Sequence, residues 1–267
     1  MYRLGLIPSV DPETMIREAV PFAECLGTAI GLDVETIVLE NYDAVGENLR
    51  SGGLDMAFIG PAGYVIAKDQ LRAPIEPIAR GVLALNMSAW GHAIIVARAD
   101  SKIHEVSDLR GKSFVFSDPI STSGYLLPQR VLKDCGLDPE RDMTIHPYSG
   151  SLGISLQKVL DGEVHAAGIG DEILDLAVDR GEFSRSEIRV IHQSPPIPGS
   201  LFVARREKDP ARMQILSEAV LSMRDIHFCK IGRIHSMEPA LDLEYDIVRQ
   251  MISAPANNHE GIRGLCR

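Results

Sequence analysis

Three consecutive hydroxyl side chains, Ser121, Thr122 and Ser123, followed by Gly124, are the residues of this chain best suited to chemistry. They come after an aromatic and β-branched run, Phe114-Val115-Phe116, then Ser117-Asp118 and the turn-setting Pro119. This spacing puts the hydroxyls where a helix begins, beside backbone N–H groups without helical acceptors and a glycine that admits close approach. Several neutral donors converging on one point suit the oxygens of a small tetrahedral anion. One hydroxyl is enough to cap a helix, so three in a row point to ligand contact beyond capping. No Gly-Lys-Ser/Thr follows and no G-x-G-x-x-G is present, which argues against nucleotide hydrolysis and dinucleotide binding.

A second segment, Phe58-Ile59-Gly60-Pro61-Ala62-Gly63-Tyr64, repeats the logic: a strand, a glycine and a helix start, with Gly60, Ala62 and Gly63 as backbone contacts. An ordinary strand-to-helix turn is the alternative. Tyr42 is either a phenolic donor to a ligand or a packing aromatic. Trp90, the only tryptophan, is a candidate apolar wall, and His92 a candidate switchable donor, although a lone histidine is more often structural. Asp171-Glu172 reads more readily as an acidic pair complementing a helix dipole than as a cation site. A Ser-His-Asp elbow, G-x-S-x-G, is absent, and so are His-rich metal motifs, so neither catalysis nor a metal or other cofactor is expected.

The balance of 27 basic and 37 acidic residues, net charge −10, argues against a nucleic-acid partner or an anionic membrane surface. A bound anion must therefore be held by local geometry. No apolar run approaches the roughly 18–20 residues that span a bilayer, so direct membrane insertion is not expected. With no leader in the text, either the protein is cytosolic or Met1 stands where a leader was removed. The four cysteines form no C-x-x-C; an oxidising compartment would allow a Cys229–Cys266 disulfide, which the sequence leaves open.

The elements that must position these groups alternate between strand and helix from the first residues, as in an α/β sheet covered by helices. Strands are expected over 2–7, 34–39, 56–59, 75–83, 92–98, 114–116, 143–146, 164–169, 188–192 and 201–204. The apolar pitch of Met15, Ala19, Phe22, Ala23 and Leu26 predicts a helix over 12–27, capped by Asp11, and 210–252 reads as mainly helical. Asp100-Ser101 breaks the pattern, and the expected division is 1–97 with 201–267 as one lobe and 98–200 as the other. Two α/β blocks joined by two crossings suggest a ligand cleft between lobes.

With these motifs assembled, the chain resembles the PhnD-like family of periplasmic solute-binding proteins for phosphate, phosphite and phosphonate. The likeness rests on Leu6-Ile7-Pro8, Asn41-Tyr42, Gly53-Leu54-Asp55-Met56-Ala57-Phe58-Ile59-Gly60-Pro61 and, above all, Asp118-Pro119-Ile120-Ser121-Thr122-Ser123-Gly124 with Pro128. It implies a type II periplasmic-binding-protein fold, each lobe a mixed, mainly parallel sheet flanked by helices. It implies a monomer with no catalysis, exported to the periplasm, in which Tyr42, Ser121, Thr122 and Ser123 hold an oxyanion, with Pro8 and Ser9 as further contacts. The partner is an ABC transporter permease or a membrane histidine kinase.

The chain departs from that family at Gly150-Ser151-Leu152-Gly153, where relatives carry a ligand-reaching histidine in place of Leu152. It departs also at Gly91, where an aromatic is usual, and at Gly199-Ser200, where an acid is expected. These losses favour phosphate, phosphite, arsenate or a simple phosphonate over an aminoalkylphosphonate. Rival expectations are an enzyme acting on a phosphorylated small molecule, with His92 or Asp171 as base, and a binder of a sulfonate or thiamine precursor.

Overall fold

The computed structural model describes residues 1–7, 12–206, 209–228 and 232–253. Pro8, Ser9, Asp11, Cys229 and Cys266 lie outside the described residues. The chain divides into two units, Met1–Trp90 with Pro198–Arg249, and Gly91–Ile197 with 250–253.

The first unit is built on a seven-stranded sheet of β1 (Tyr2–Leu6), β2 (Val34–Val38), β3 (Met56–Ile59), β4 (Ile75–Leu83), β12 (Leu201–Arg205), β13 (Arg224–His227) and β14 (Arg233–Pro239), in the order β13-β14-β4-β12-β3-β1-β2. Helix α1 (Pro12–Ile30) buries Met15, Ala19, Phe22 and Leu26, one face of a 3.6-residue repeat, against this sheet and α8 (Pro210–Ser222). The centre is aromatic: Phe22 stacks on Phe202 with centroids 4.4 Å apart, and Phe58 and Phe228 close round them at 4.8–5.1 Å.

The second unit holds a five-stranded sheet of β6 (Ala93–Arg98), β7 (Ser113–Val115), β8 (Thr144–His146), β9 (Ala166–Gly170) and β10 (Ile188–Gln193), in the order β10-β6-β9-β7-β8. Its middle strands are apolar without a break because both faces are covered. On β6, Ile94 and Val96 point to a core shared with α6 (Leu152–Leu160) and α7 (Asp171–Asp179), while Ile95 and Ala97 point to one shared with Phe114, Phe116 and α4 (Leu127–Asp134).

Three expectations are corrected. The sheets are mixed, but parallel pairing does not dominate. In the first unit only β1–β2 and β1–β3 are parallel, whereas β12, β4, β14 and β13 join antiparallel; in the second, β10–β6 and β6–β9 are antiparallel and β9–β7 and β7–β8 parallel. The return of the chain through β12 and a hairpin supplies the antiparallel share. The first crossing falls at Trp90/Gly91 rather than 97/98, because β6 pairs in the second sheet. Asp100-Ser101 is only a turn, closed by the Ser101 hydroxyl donating to the Arg98 carbonyl at 2.6 Å. Short strands Trp90–Gly91 (β5) and Ile197–Pro198 (β11) pair as a separate two-stranded sheet, and the division of the chain falls inside both. Residues 210–252 are not mainly helical: the β13–β14 hairpin interrupts them. Its signature is the alternation of exposed Arg233 and His235 with buried Ile234.

Candidate functional site

The hydroxyl cradle grows out of the end of β7. Past Phe116 the Asp118 carboxylate accepts the N–H of Ile120 at 2.8 Å and its carbonyl accepts the N–H of Ser121 at 3.0 Å, which turns the chain back at Pro119. Ser121 then takes extended backbone angles, φ −67° and ψ 125°, and its Oγ accepts the N–H of Gly124 at 3.1 Å: it is the N-cap. The first turn, Thr122–Leu126, is a wide π-turn in which the N–H groups of both Tyr125 and Leu126 reach the Ser121 carbonyl. Helix α4 continues from it with Pro128 in its first turn.

This start is held by two glycines. A β-carbon on Gly124 would stand 2.8 Å from Ser121 Oγ and 2.7 Å from Leu152 Cδ2, and would collide with Ser117 Oγ. One on Gly168 of β9 would collide with the Pro128 ring and stand 3.2 Å from the Ser123 carbonyl. Ser121 and Thr122 are each 5% exposed and Ser123 is half-buried. Because Ser121 Oγ receives an N–H through a lone pair, its own proton remains to be donated outward. Position Ser123 is the second residue of the helix, where an N–H has no acceptor within the helix. The cation that follows, Arg130, is turned onto Asp134 by two bonds of 2.8–2.9 Å. The donors of the cradle itself are therefore neutral hydroxyls and amides.

Beside it the loop before α6 is stitched to the same strand end: the N–H of Ser149 reaches the Phe116 carbonyl at 3.0 Å and that of Gly150 the Ser117 carbonyl at 2.9 Å. Ser151 caps α6, accepting the N–H of Ile154, so that Leu152 begins the helix buried against Gly124. An apolar side chain thus occupies the flank where a donor could stand.

The other expected site residues are placed as follows. His92 is oriented by the Ser194 carbonyl: its Nδ1 lies 2.7 Å from that oxygen, which can only accept, so Nδ1 carries the proton. The His92 N–H donates to Asp171 Oδ1 at 2.8 Å, and the same oxygen accepts the N–H of Glu172 at 3.0 Å. Asp171 therefore serves the start of α7, as the dipole-complementing alternative has it. In the first unit Tyr42 begins α2 (Tyr42–Ser51) behind the N-cap Asn41 and is buried. Gly60 is the N-cap of α3 (Pro61–Val65), with no side-chain cap. A β-carbon on Gly60 would meet nothing within 4 Å, whereas the Ala62 methyl is fully buried, which leaves Ala62 only its backbone to offer. Trp90 covers Arg80, whose guanidinium carbon is 4.9 Å from the ring centroid. Arg80, 2% exposed, binds Glu238 at 2.8 Å and Glu244 at 2.9 Å.

Sequence reasoning missed Ser117, Gly168 and Arg80. Ser117 stood in the quoted motif as a serine after a strand, but its meeting with Gly124 depends on how the turn folds back. Among the described residues no group of His, Cys, Asp and Glu is arranged to hold a metal ion. No helix of those residues is long and apolar enough to cross a membrane.

The family model for the periplasmic substrate-binding protein of phosphonate ABC transporters matches residues 4–245. The chain is 26% identical over 269 residues to the phosphate-import protein PhnD of Mycolicibacterium smegmatis, covering 93% of this chain and 84% of that one. Among solved structures it superposes with TM-score 0.80 and 22% identity on a binding-protein component of an ABC phosphonate transporter from Pseudomonas aeruginosa, covering 94% of this chain and 85% of the other. It matches PhnD1 of Prochlorococcus marinus in complex with methylphosphonate with TM-score 0.78 and 17% identity, covering 94% and 96%. These likenesses carry the type II periplasmic-binding-protein fold, and they are to proteins that bind a substrate rather than transform it. The chain belongs to the family of periplasmic substrate-binding proteins of phosphonate ABC transporters.

Proposed function

We propose that this protein captures a compact tetrahedral phosphorus oxyanion, phosphate, phosphite or a small phosphonate, in the periplasm and presents it to an ABC transporter. The observation that carries the reading is the Ser121 N-cap: a hydroxyl whose lone pair is taken by the Gly124 N–H and whose proton is left to donate, at the head of a helix with two further hydroxyls. A charge-assisted bond from each hydroxyl contributes roughly 1.5–3 kcal/mol, enough in combination to hold an anion against the net charge of −10. Arsenate, isosteric with phosphate, is expected to compete.

The buried Leu152 beside Gly124 supports a small substituent over an aminoalkyl chain, since it offers neither charge nor hydrogen bond. Isothermal calorimetry with phosphate, phosphite, methylphosphonate, 2-aminoethylphosphonate and sulfate tests the reading. Heat from one or more of the first three, with weaker or no response to the last two, is the expected result. Silence toward all three would sink it.

A further inference from the structure

Counted from the cap Ser121, Pro128 is the seventh residue of a continuous run of helical turns, Thr122–Leu126 and then α4, where proline is ordinarily costly. It has no N–H to give to the carbonyl four residues back, which belongs to Gly124, and in a regular helix its ring would clash with that carbonyl. The Gly124 carbonyl instead accepts the N–H of Ser117, just past the end of β7, at 3.2 Å. The Ser117 carbonyl accepts the Gly150 N–H at 2.9 Å, so one released carbonyl joins the cradle turn to the strand end and to the loop before α6. The same release accounts for the wide turn, in which the N–H groups of Leu126 and Leu127 reach back five residues to the carbonyls of Ser121 and Thr122. The Pro128 ring is buried and needs room. A β-carbon on Gly168 of β9 would collide with Pro128 Cγ, stand 2.8 Å from Pro128 Cβ and 3.2 Å from the Ser123 carbonyl, so Gly168 is a notch that receives both the ring and the Ser123 backbone.

We propose that Pro128, seated in the Gly168 notch, is a positioning residue of the anion site: by withholding an N–H from the Gly124 carbonyl it leaves that carbonyl to Ser117, and so holds the hydroxyls of Ser121 and Ser123 in the wide turn that meets the oxyanion. A regular α-turn would draw the Gly124 carbonyl back into the helix and free the Ser117 N–H. The head of the helix would then turn relative to the strand end, and a hydrogen bond weakens steeply when its donor leaves the line of the acceptor. The inference rests on the oxyanion reading above and adds to it two residues that act through the turn and touch no ligand.

The test is calorimetry with inorganic phosphate, phosphite and methylphosphonate on the wild type, Pro128→Ala, Gly168→Ala and the double variant, with amide hydrogen exchange of each protein read by NMR without anion. Pro128→Ala restores the missing N–H. It is expected to bind the anion about tenfold more weakly, the worth of one misaligned charge-assisted bond. Its Ser117 amide is expected to exchange about tenfold faster than in the wild type, while the amides of β6 and β9 keep their wild-type rates. Gly168→Ala drives a methyl into the ring and is expected to weaken binding by a similar factor. In the Pro128→Ala background the same change is expected to cost less, since the closest contact, Pro128 Cγ, is gone. Wild-type affinity in either single variant, a Ser117 amide that keeps its wild-type rate in Pro128→Ala, faster exchange throughout β6 and β9, or a Gly168→Ala loss undiminished in that background would each overturn the inference while leaving the oxyanion reading intact. A wild type that binds none of the three anions would overturn both.

Discussion

Two clusters of polar groups in this molecule have opposite economies. In the first unit, Asp242 Oδ1 accepts the Tyr64 hydroxyl at 2.5 Å, Lys68 Nζ at 3.0 Å and Arg249 Nη2 at 2.7 Å, and Arg249 also binds Asp69 at 2.7 Å and Asp246 at 2.8 Å. Every charge in that cluster is answered by another. Burial pushes the Tyr64 phenol well above its usual range. Burial also acts to raise the Asp242 carboxyl, but the bonds from Tyr64, Arg249 and Lys68 outweigh it and bring the group down to about 2. The cradle at Ser121–Gly124 carries no such charge and spends its bonds on shaping a turn. Ser121 Oγ, which accepts the Gly124 N–H, has its own proton to donate. The difference bears on how an anion site is marked: the Lys68–Arg249 cations are taken up by carboxylates, and the recognition element proposed above is the neutral turn.

The widest separation between the two is expected on removing the cradle. Replacing Ser121, Thr122 and Ser123 together by alanine should weaken phosphate binding by roughly a thousandfold or more in calorimetry, from three charge-assisted bonds. The melting temperature should fall only by the loss of one helix cap, about 1 kcal/mol of stability. Next in size, Gly124→Ala forces the new methyl into Ser117 and Leu152 and should cost about 1–3 kcal/mol in urea unfolding while also reducing affinity. Asp242→Asn should show the reverse profile: a loss of roughly 1–2 kcal/mol with oxyanion affinity unchanged. An equal loss of affinity from Asp242→Asn and from the triple cradle variant would erase the distinction between the clusters.

The smallest effect concerns pH. Asp242 has a folded pKa of about 2, below the ordinary 3.8, so its contribution is complete above pH 3.8 and is lost as pH falls toward 2. Acid melts of the wild type should show a decline in that window that Asp242→Asn lacks. No decline of this kind is expected from the triple cradle variant relative to wild type, since none of the three residues titrates there.

How much of this was legible in the chain follows from the range over which each feature acts. The N-cap at Ser121 is local, three residues from its partner Gly124, and the strand leading into it is a plain apolar run, so both can be read from the sequence. Helix α1 likewise announces its buried face in the spacing of Met15, Ala19, Phe22 and Leu26. The β13–β14 hairpin was obscured because apolar residues lying among charged ones fit a helical or a strand period over so short a stretch. The division of the chain was misplaced because a polar turn, Asp100-Ser101, resembles a linker, whereas the membership of β6 is decided by pairing with residues 166–170. The convergence of Ser117, Gly124 and Leu152 joins two turns far apart in sequence and is visible only once both are folded. His92 shows the same limit: the bond of its Nδ1 to the Ser194 carbonyl joins residues far apart in sequence and is visible only in the fold.

The most direct test of the central claim is a crystal structure of the protein with inorganic phosphate or methylphosphonate bound. An oxyanion within hydrogen-bond distance of the hydroxyls of Ser121 and Ser123, with no lysine or arginine from the Asp242 cluster in contact with it, is the expected result. An anion seated on Lys68 or Arg249, or a cradle left without contact to it, would contradict the account.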